Sequence, residues 1–123
     1  MSAMADPSEP LAVDDPEDRK IVTLARASRA RTGAAEGAAV RDSDGRTYAA
    51  ATVALPSLQV SALRLAVAMA VSSGAKSLEA AAVSTGSDRV DADDLTAVRD
   101  LAGDGIAVLR ADPHGAVHEV ARS

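Results

Sequence analysis

The chain has no cysteine, no phenylalanine and no tryptophan, and Tyr48 is its single aromatic residue. Without thiols it can form no disulfide, offer no thiolate to a metal and use no cysteine nucleophile. Without aromatic faces it has no platform on which bases stack, which counts against binding of single-stranded nucleic acid. Positive charge is also scarce. Thirteen Lys and Arg against 18 Asp and Glu give a formal charge of −5, a balance that repels phosphate backbones. No apolar run approaches the ~20 residues of a membrane helix. The segment Met1–Glu9 is acidic and has no apolar centre, so it does not read as a signal peptide. A cytoplasmic protein without membrane or nucleic-acid partners is the expectation.

Alanine is abundant, and Arg far outnumbers Lys, which is confined to Lys20 and Lys76. Such a bias is like that of GC-rich bacterial genomes. A length of 123 residues suits one domain with one core. Residues 1–13 hold Pro7, Pro10 and small polar residues and read as a flexible tail, which leaves 14–123 as the domain.

Local signals then place the elements. Asp14 or Asp15 caps a first helix, Pro16 suits its first turn, and Glu17 and Asp18 complement the dipole. Ile21, Leu24, Ala25 and Ser28 give its inner face, and the helix runs to about Arg31 and stops near Gly33. Ala38–Arg41 and Thr47–Val53 flank Asp42-Ser43-Asp44-Gly45, a hairpin signal. Pro56 and Ser57 open a second helix from Leu58 to Ser73, apolar nearly all round and so expected to be buried on most sides. Leu78–Ser84 reads as a buried strand. Asp91 caps a third helix carrying Leu95, Val98 and Leu101, ended by Gly103. Ile106–Arg110 and Ala116–Val120 form a last hairpin around Asp112-Pro113-His114-Gly115. The order α-β-β-α-β-α-β-β predicts an α/β sandwich with a mixed five-stranded sheet.

Several groups invite a chemical reading. His114 and His118 have the spacing of a helical metal pair, but Pro113 and Gly115 put them in a turn, so no metal role is assigned. Asp88, Asp91, Asp93 and Asp94 offer oxygen ligands, yet no EF-hand glycine or bidentate Glu follows, and capping accounts for them. Ser73-Gly74-Ala75-Lys76-Ser77 closes a helix where a phosphate loop must open one. Ser61 has no base beside it in sequence, so a serine nucleophile is unsupported. Arg26, Arg29 and Arg31 complement the dipole at the end of the first helix; a small anion or RNA patch is the competing reading.

Gly37-Ala38-Ala39-Val40 followed by Asp44-Gly45-Arg46-Thr47-Tyr48 resembles the first hairpin, VGAAL…DGxxYxG, of the small homotetrameric zinc cytidine deaminases. Val53 stands where that family has the middle residue of NVEN, and Ala62, Arg64, Leu65, Ala66 and Val67 are similar to the tail of CAERVAI. Val108-Leu109, Asp112 and Gly115 fit its closing hairpin, so the resemblance spans Asp15 to Val120. It implies a three-layer sandwich with helices on both faces of the sheet.

What the resemblance implies for chemistry is an absence. The family uses zinc to generate hydroxide and a Glu to shuttle protons. The first ligand position falls on Ser61, the Glu on Leu63, and the PCxxC pair near Asp94 and Ala97. The residues that grip base and sugar fall on Thr52 and Ala54, and the stacking aromatic on Ala34. Glu36 stands where the family prefers an apolar residue. The expectation is a catalytically inactive protein with no metal and no cofactor, acting through protein–protein contacts as a homodimer or homotetramer with an unidentified protein partner. The alternatives are a weak nucleoside- or nucleotide-binding regulator, or an active deaminase with an unusual metal site, which the ligand set opposes.

Overall fold

The computed structural model describes residues 9–123. Of the tail expected over residues 1–13, residues 1–8 lie outside the described residues. Within residues 9–13, Leu11 and Val13 contact the domain. The Leu11 N–H donates to the Val117 carbonyl at 2.7 Å, and Val13 packs against the core beneath the first helix.

Helix α1 covers Pro16–Thr32, and strands β1 and β2 cover Gly37–Asp42 and Thr47–Ala51. A short hairpin follows, β3 at Val53–Leu55 and β4 at Leu58–Val60, then α2 at Ala62–Ser72. Strand β5 spans Leu78–Ser84, α3 Ala92–Ala102, β6 Ala107–Ala111 and β7 Val117–Arg122. The main sheet has the order β2-β1-β5-β6-β7. It is mixed: β5 and β6 run parallel, and the other neighbours are antiparallel. The connection between the parallel pair is α3, as a crossover of this kind requires.

Helix α1 lies on one face, α2 and α3 on the other, and each face has its own core. Ala39, Ala80, Ala82 and Leu109 turn toward Ile21, Val22 and Ala25 of α1. Ala38, Val40, Ala81, Val83 and Val108 turn toward Leu63, Ala66 and Val67 of α2 and Val98 of α3. This is the two-residue alternation of a strand buried on both sides. The expected α/β sandwich with a mixed five-stranded sheet is what the chain forms.

The second helix departs from expectation. Leu58-Gln59-Val60 belongs to β4 and Pro56-Ser57 is its turn, so α2 begins only after Ser61. The apolar–polar–apolar order of those three residues is a period-two signal inside what reads as one helical run. Ser61 caps α2 by accepting from the Arg64 N–H at 3.3 Å. The helix is also not buried all round: Ala62, Leu63, Ala66, Val67 and Ala70 face inward, and Met69 and Val71 are exposed.

Both hairpin turns of the main sheet are closed by the same device. Asp42 Oδ1 accepts from the Asp44 and Arg46 N–H groups, both at 2.9 Å, and Oδ2 accepts from Tyr48 Oη at 2.9 Å. Asp112 Oδ1 accepts from the His114 and Ala116 N–H groups at 2.8 and 3.1 Å, and Oδ2 pairs with His118 Nε2 at 2.8 Å. His118 is therefore committed to its own turn, and His114 is exposed beside it.

Helix α1 approaches β1 most closely at Gly37. A Cβ there would run into the Ala25 carbonyl oxygen and sit 2.7 Å from the Arg29 nitrogen, both backbone atoms that cannot step aside. Gly37→Ala should therefore be destabilised by about 3 kcal/mol, the upper range for overpacking. Urea denaturation of the two proteins measures the difference; equal midpoints would show that α1 can lift off the sheet freely.

Candidate functional site

Two helix N-termini meet on the α2–α3 side of the sheet. Ser61 is the N-cap of α2, and Asp94 lies in the first turn of α3, whose N-cap is Asp91. The Ser61 hydroxyl donates to Asp94 Oδ1 at 2.6 Å, joining residues 33 positions apart. Around this pair is a cleft of about 240 Å³ lined by Glu36, Ser61, Ser87, Arg89, Asp91 and Asp94. The positive ends of both helix dipoles thus face one buried carboxylate.

The local sequence explains the placement. Glu36 ends the α1–β1 connection and is fixed through its backbone: its N–H donates to Thr52 Oγ1 at 3.1 Å, and its carbonyl accepts from the Thr52 N–H at 3.1 Å. Asp91 caps α3 by accepting from the Asp93 N–H at 2.8 Å. Ser87 and Arg89 come from the loop after β5, the end of the strand where open α/β sheets place their sites.

Asp94 is almost fully buried. Burial pushes its carboxyl above the usual range, the Ser61 hydrogen bond opposes this, and the like charges of Glu36 and Asp91 add to the rise. Ser61 had no base beside it in sequence; in the fold it has this carboxyl. Its hydroxyl oxygen is also engaged in capping α2, which fits a structural role better than a nucleophilic one.

The other sequence candidates are not brought together. Leu63 is fully buried and belongs to the core against the sheet. Ala97 faces a different groove, between α2 and α3, with Val67 and Ala68. Thr52 is spent on Glu36, and Ala54 stands exposed on β3. Ala34 lies in the turn after α1. Asp91, weighed in sequence as an oxygen ligand and read as a cap, and Ser87 and Arg89, unmarked there, are members of the cleft. Only contacts between distant elements identify them.

Chemically the cleft offers hydroxyls, carboxylates and one guanidinium. Among the described residues no group of three or more His, Cys, Asp or Glu side chains is placed to hold a metal ion. No helix among them is long and apolar enough to cross a membrane.

Comparisons with known proteins agree on the scaffold. Residues 14–115 match the family model described as cytidine deaminase-like. The structure is similar to cytidine deaminase from Burkholderia pseudomallei, with a TM-score of 0.72 and 21% identity, covering 83% of this chain and 89% of that one. For cytidine deaminase from Mycobacterium leprae the values are 0.66 and 19%, covering 87% and 94%. For a point mutant of the Mycobacterium tuberculosis enzyme they are 0.65 and 22%, covering 79% and 85%. No curated protein matches the chain.

Two outcomes follow from this geometry. A carboxyl whose folded pKa is raised favours the fold fully at low pH and loses that contribution as pH rises through the raised value. Asp94→Asn keeps an oxygen for the Ser61 hydroxyl and removes the charge. It should unfold at higher denaturant than wild type at neutral pH, and the gap should close on acidification; a gap independent of pH would exclude the burial argument. Leu63→Glu should lose on the order of 3 kcal/mol by emptying core volume and burying an acid. An unchanged denaturation midpoint would mean that Leu63 stands in an open, wet pocket.

Proposed function

This chain belongs to the cytidine deaminase-like family, and on that premise we propose that it is a non-catalytic member acting through protein–protein contacts. The observation that carries the proposal is the Ser61–Asp94 hydrogen bond at 2.6 Å, between two of the positions that the resemblance assigns to metal ligands. A catalytic zinc of this kind is held by three ligands, thiolate or imidazole, with one position open. The donor set here does not fit. Ser61 supplies a neutral hydroxyl already shared between a helix cap and a carboxyl. Asp94 supplies a carboxyl whose burial favours its neutral form, and Ala97 supplies nothing. The two imidazoles of the chain belong to the β6–β7 hairpin, one of them paired with Asp112.

Proton transfer fares no better. A general acid/base must reach the reacting atom with a titratable group, and Leu63, at the assigned position, is a hydrocarbon within the core. Nucleoside recognition lacks its parts as well. Ala34 offers no aromatic face, Ala54 no carboxylate, and the Thr52 hydroxyl is occupied by the Glu36 backbone. No deamination step is therefore derived for this chain. The function that remains is association, as a homodimer or homotetramer and with an unidentified protein partner. The exposed apolar side chains of α2 and the β3–β4 hairpin support that reading.

Untagged protein should carry far less than one zinc per chain by mass spectrometry of the intact metal content, and should convert no cytidine to uridine. Calorimetry with cytidine, uridine and their phosphates should show nothing tighter than millimolar. Stoichiometric zinc that survives mild chelation would overturn the non-catalytic reading. A micromolar constant for any nucleoside would put a regulatory binder in its place.

A further inference from the structure

On the α1 side of the sheet lies a cavity of about 260 Å³, enclosed by the first half of α1, the segment before it and the start of β7. Leu11, Val13, Val22 and Val117 give it apolar walls. Its outer wall is tied in place. The Leu11 N–H donates to the Val117 carbonyl at 2.7 Å, and Arg19 Nη1 donates to the Val13 and Asp14 carbonyls at 2.9 and 2.8 Å. Sites for drug-sized ligands run to ~300–1,000 Å³, so an occupant of this cavity is smaller than those.

Arg19 is the charged residue of the lining, and no carboxylate among the described residues stands beside it there. The two carbonyls use Nη1 alone. Nε and Nη2 have no hydrogen-bond partner among the described residues, and Arg19 forms no ion pair with them. That open edge of a guanidinium is the fork that takes a carboxylate through two parallel bonds. One end of the group is already fixed, so little rotamer freedom remains to be lost on binding. Arg26 adds a second positive charge. It shares one face of α1 with Arg19, Val22 and Thr23. Its side chain lies over Gly115 of the lining, where a Cβ would stand 3.1 Å from Arg26 Cδ. Arg29 and Arg31 occupy the last turn of α1 and complement its dipole. Arg19 and Arg26 stand earlier in the helix, where that account does not reach.

Apolar walls and one open guanidinium edge suit a ligand that has the same two parts. We propose that this cavity binds a small aliphatic monocarboxylate. The carboxylate takes Nε and Nη2 of Arg19, with Arg26 adding to the positive field, and the chain lies against Leu11, Val13, Val22 and Val117. A fully polar anion such as inorganic phosphate would leave those walls in contact with water and gain nothing from them. The cavity and the Ser61–Asp94 cleft lie on opposite faces of the sheet. The proposal therefore stands apart from the non-catalytic reading and does not rest on it.

Titration of hexanoate into the full chain, followed by backbone amide chemical shifts, tests it. The shifts should saturate with a dissociation constant on the order of 0.1–1 mM. They should centre on Leu11, Arg19, Thr23 and Val117 and spare Ser61, Arg89 and Asp94. Acetate keeps the charge and loses the chain; 1-hexanol keeps the chain and loses the charge. Each should bind roughly tenfold more weakly than hexanoate, or worse. Arg19→Gln should weaken hexanoate by roughly tenfold or more, and Arg26→Gln by roughly two- to threefold. Arg19→Gln also releases two bonds to the outer wall, so a second variant separates binding from that structural role. Leu11→Asp keeps the backbone bond to Val117 and brings a carboxylate to the cavity, and it should abolish binding. Leu11, Arg19 and Arg26 are exposed side chains, and thermal melts by circular dichroism check that the variants fold. No saturable shift at ~10 mM hexanoate, well above the expected constant, overturns the proposal. So do shifts centred on the Ser61–Asp94 cleft, hexanol or acetate binding as tightly as hexanoate, or full binding by Leu11→Asp.

Discussion

The contact on which this fold depends is backbone against backbone, where α1 crosses β1 at Gly37 with no room for a side-chain carbon. A chain without Phe or Trp cannot fill a wide space between layers. Its layers must come close, and small residues let them. Ala39, Ala80 and Ala82 make the sheet surface under α1, and Ala25 meets it beside Ile21 and Val22. Arg41 then fastens the same two layers, reaching Asp18 of α1 at 3.0 Å and Glu79 of β5 at 2.8 Å. On the opposite face Leu63 and the valines supply the larger volume. The alanine-rich composition is thus consistent with the architecture, since each alanine in the central strands shortens the distance that a side chain must fill.

Three aspartates have shifted carboxyls, and the shifts do not run in the same direction. At Asp42 burial works to raise the carboxyl, but the hydrogen bonds from Tyr48 and the turn N–H groups outweigh it and hold it below the usual range. At Asp112 the bond to His118 is the largest influence, and it too lowers the carboxyl. Groups of this kind stabilise the fold above their unfolded pKa and release it as pH falls through the folded value. Asp94 has the opposite sign, because burial prevails over its single hydroxyl partner. The turns therefore favour neutral pH, and the cleft between α2 and α3 favours acid. The difference is one of hydrogen-bond supply. Each turn aspartate receives three polar partners, and Asp94 receives one through its side chain.

What the sequence made legible was local. Asp15, Asp91, Gly33 and Gly103 mark helix ends through contacts within a few residues, and each does so in the structure. Asp42 and Asp112 close turns by reaching two and four positions ahead, which a turn signature encodes directly. The β3–β4 hairpin was hidden because Leu58, Gln59 and Val60 run straight into an apolar helix, and three residues are too few to separate one period from another. The cleft was only half visible. The resemblance pointed to Ser61 and Asp94, but no local pattern could join residues 33 apart or bring Ser87, Arg89 and Asp91 to them. Ala97 shows the limit of alignment: one helical turn beyond Asp94, it faces another groove.

The meeting of two helix N-termini is an electrostatic problem that any occupant must solve. Their unpaired N–H groups and aligned dipoles favour negative charge, and thiolates around a metal are one way to supply it. Here Asp91 and Asp94 place carboxyl groups at α3, and the Ser61 hydroxyl caps α2 while donating to Asp94. The arrangement gives each helix end a side-chain acceptor, but it crowds Glu36, Asp91 and Asp94 into one cleft with Arg89 as the only positive lining group. Burial raises the carboxyl of Asp94 most, and the like charges of Glu36 and Asp91 add to that rise. The same hydrogen bond ties the N-terminus of α2 to the first turn of α3, beside the shared core of the two helices. Those two helices form the groove beside the β3–β4 hairpin. The chemistry of the cleft and the shape of that groove are therefore joined through one side-chain pair, and a change at Ser61 or Asp94 acts on the groove as much as on the cleft itself.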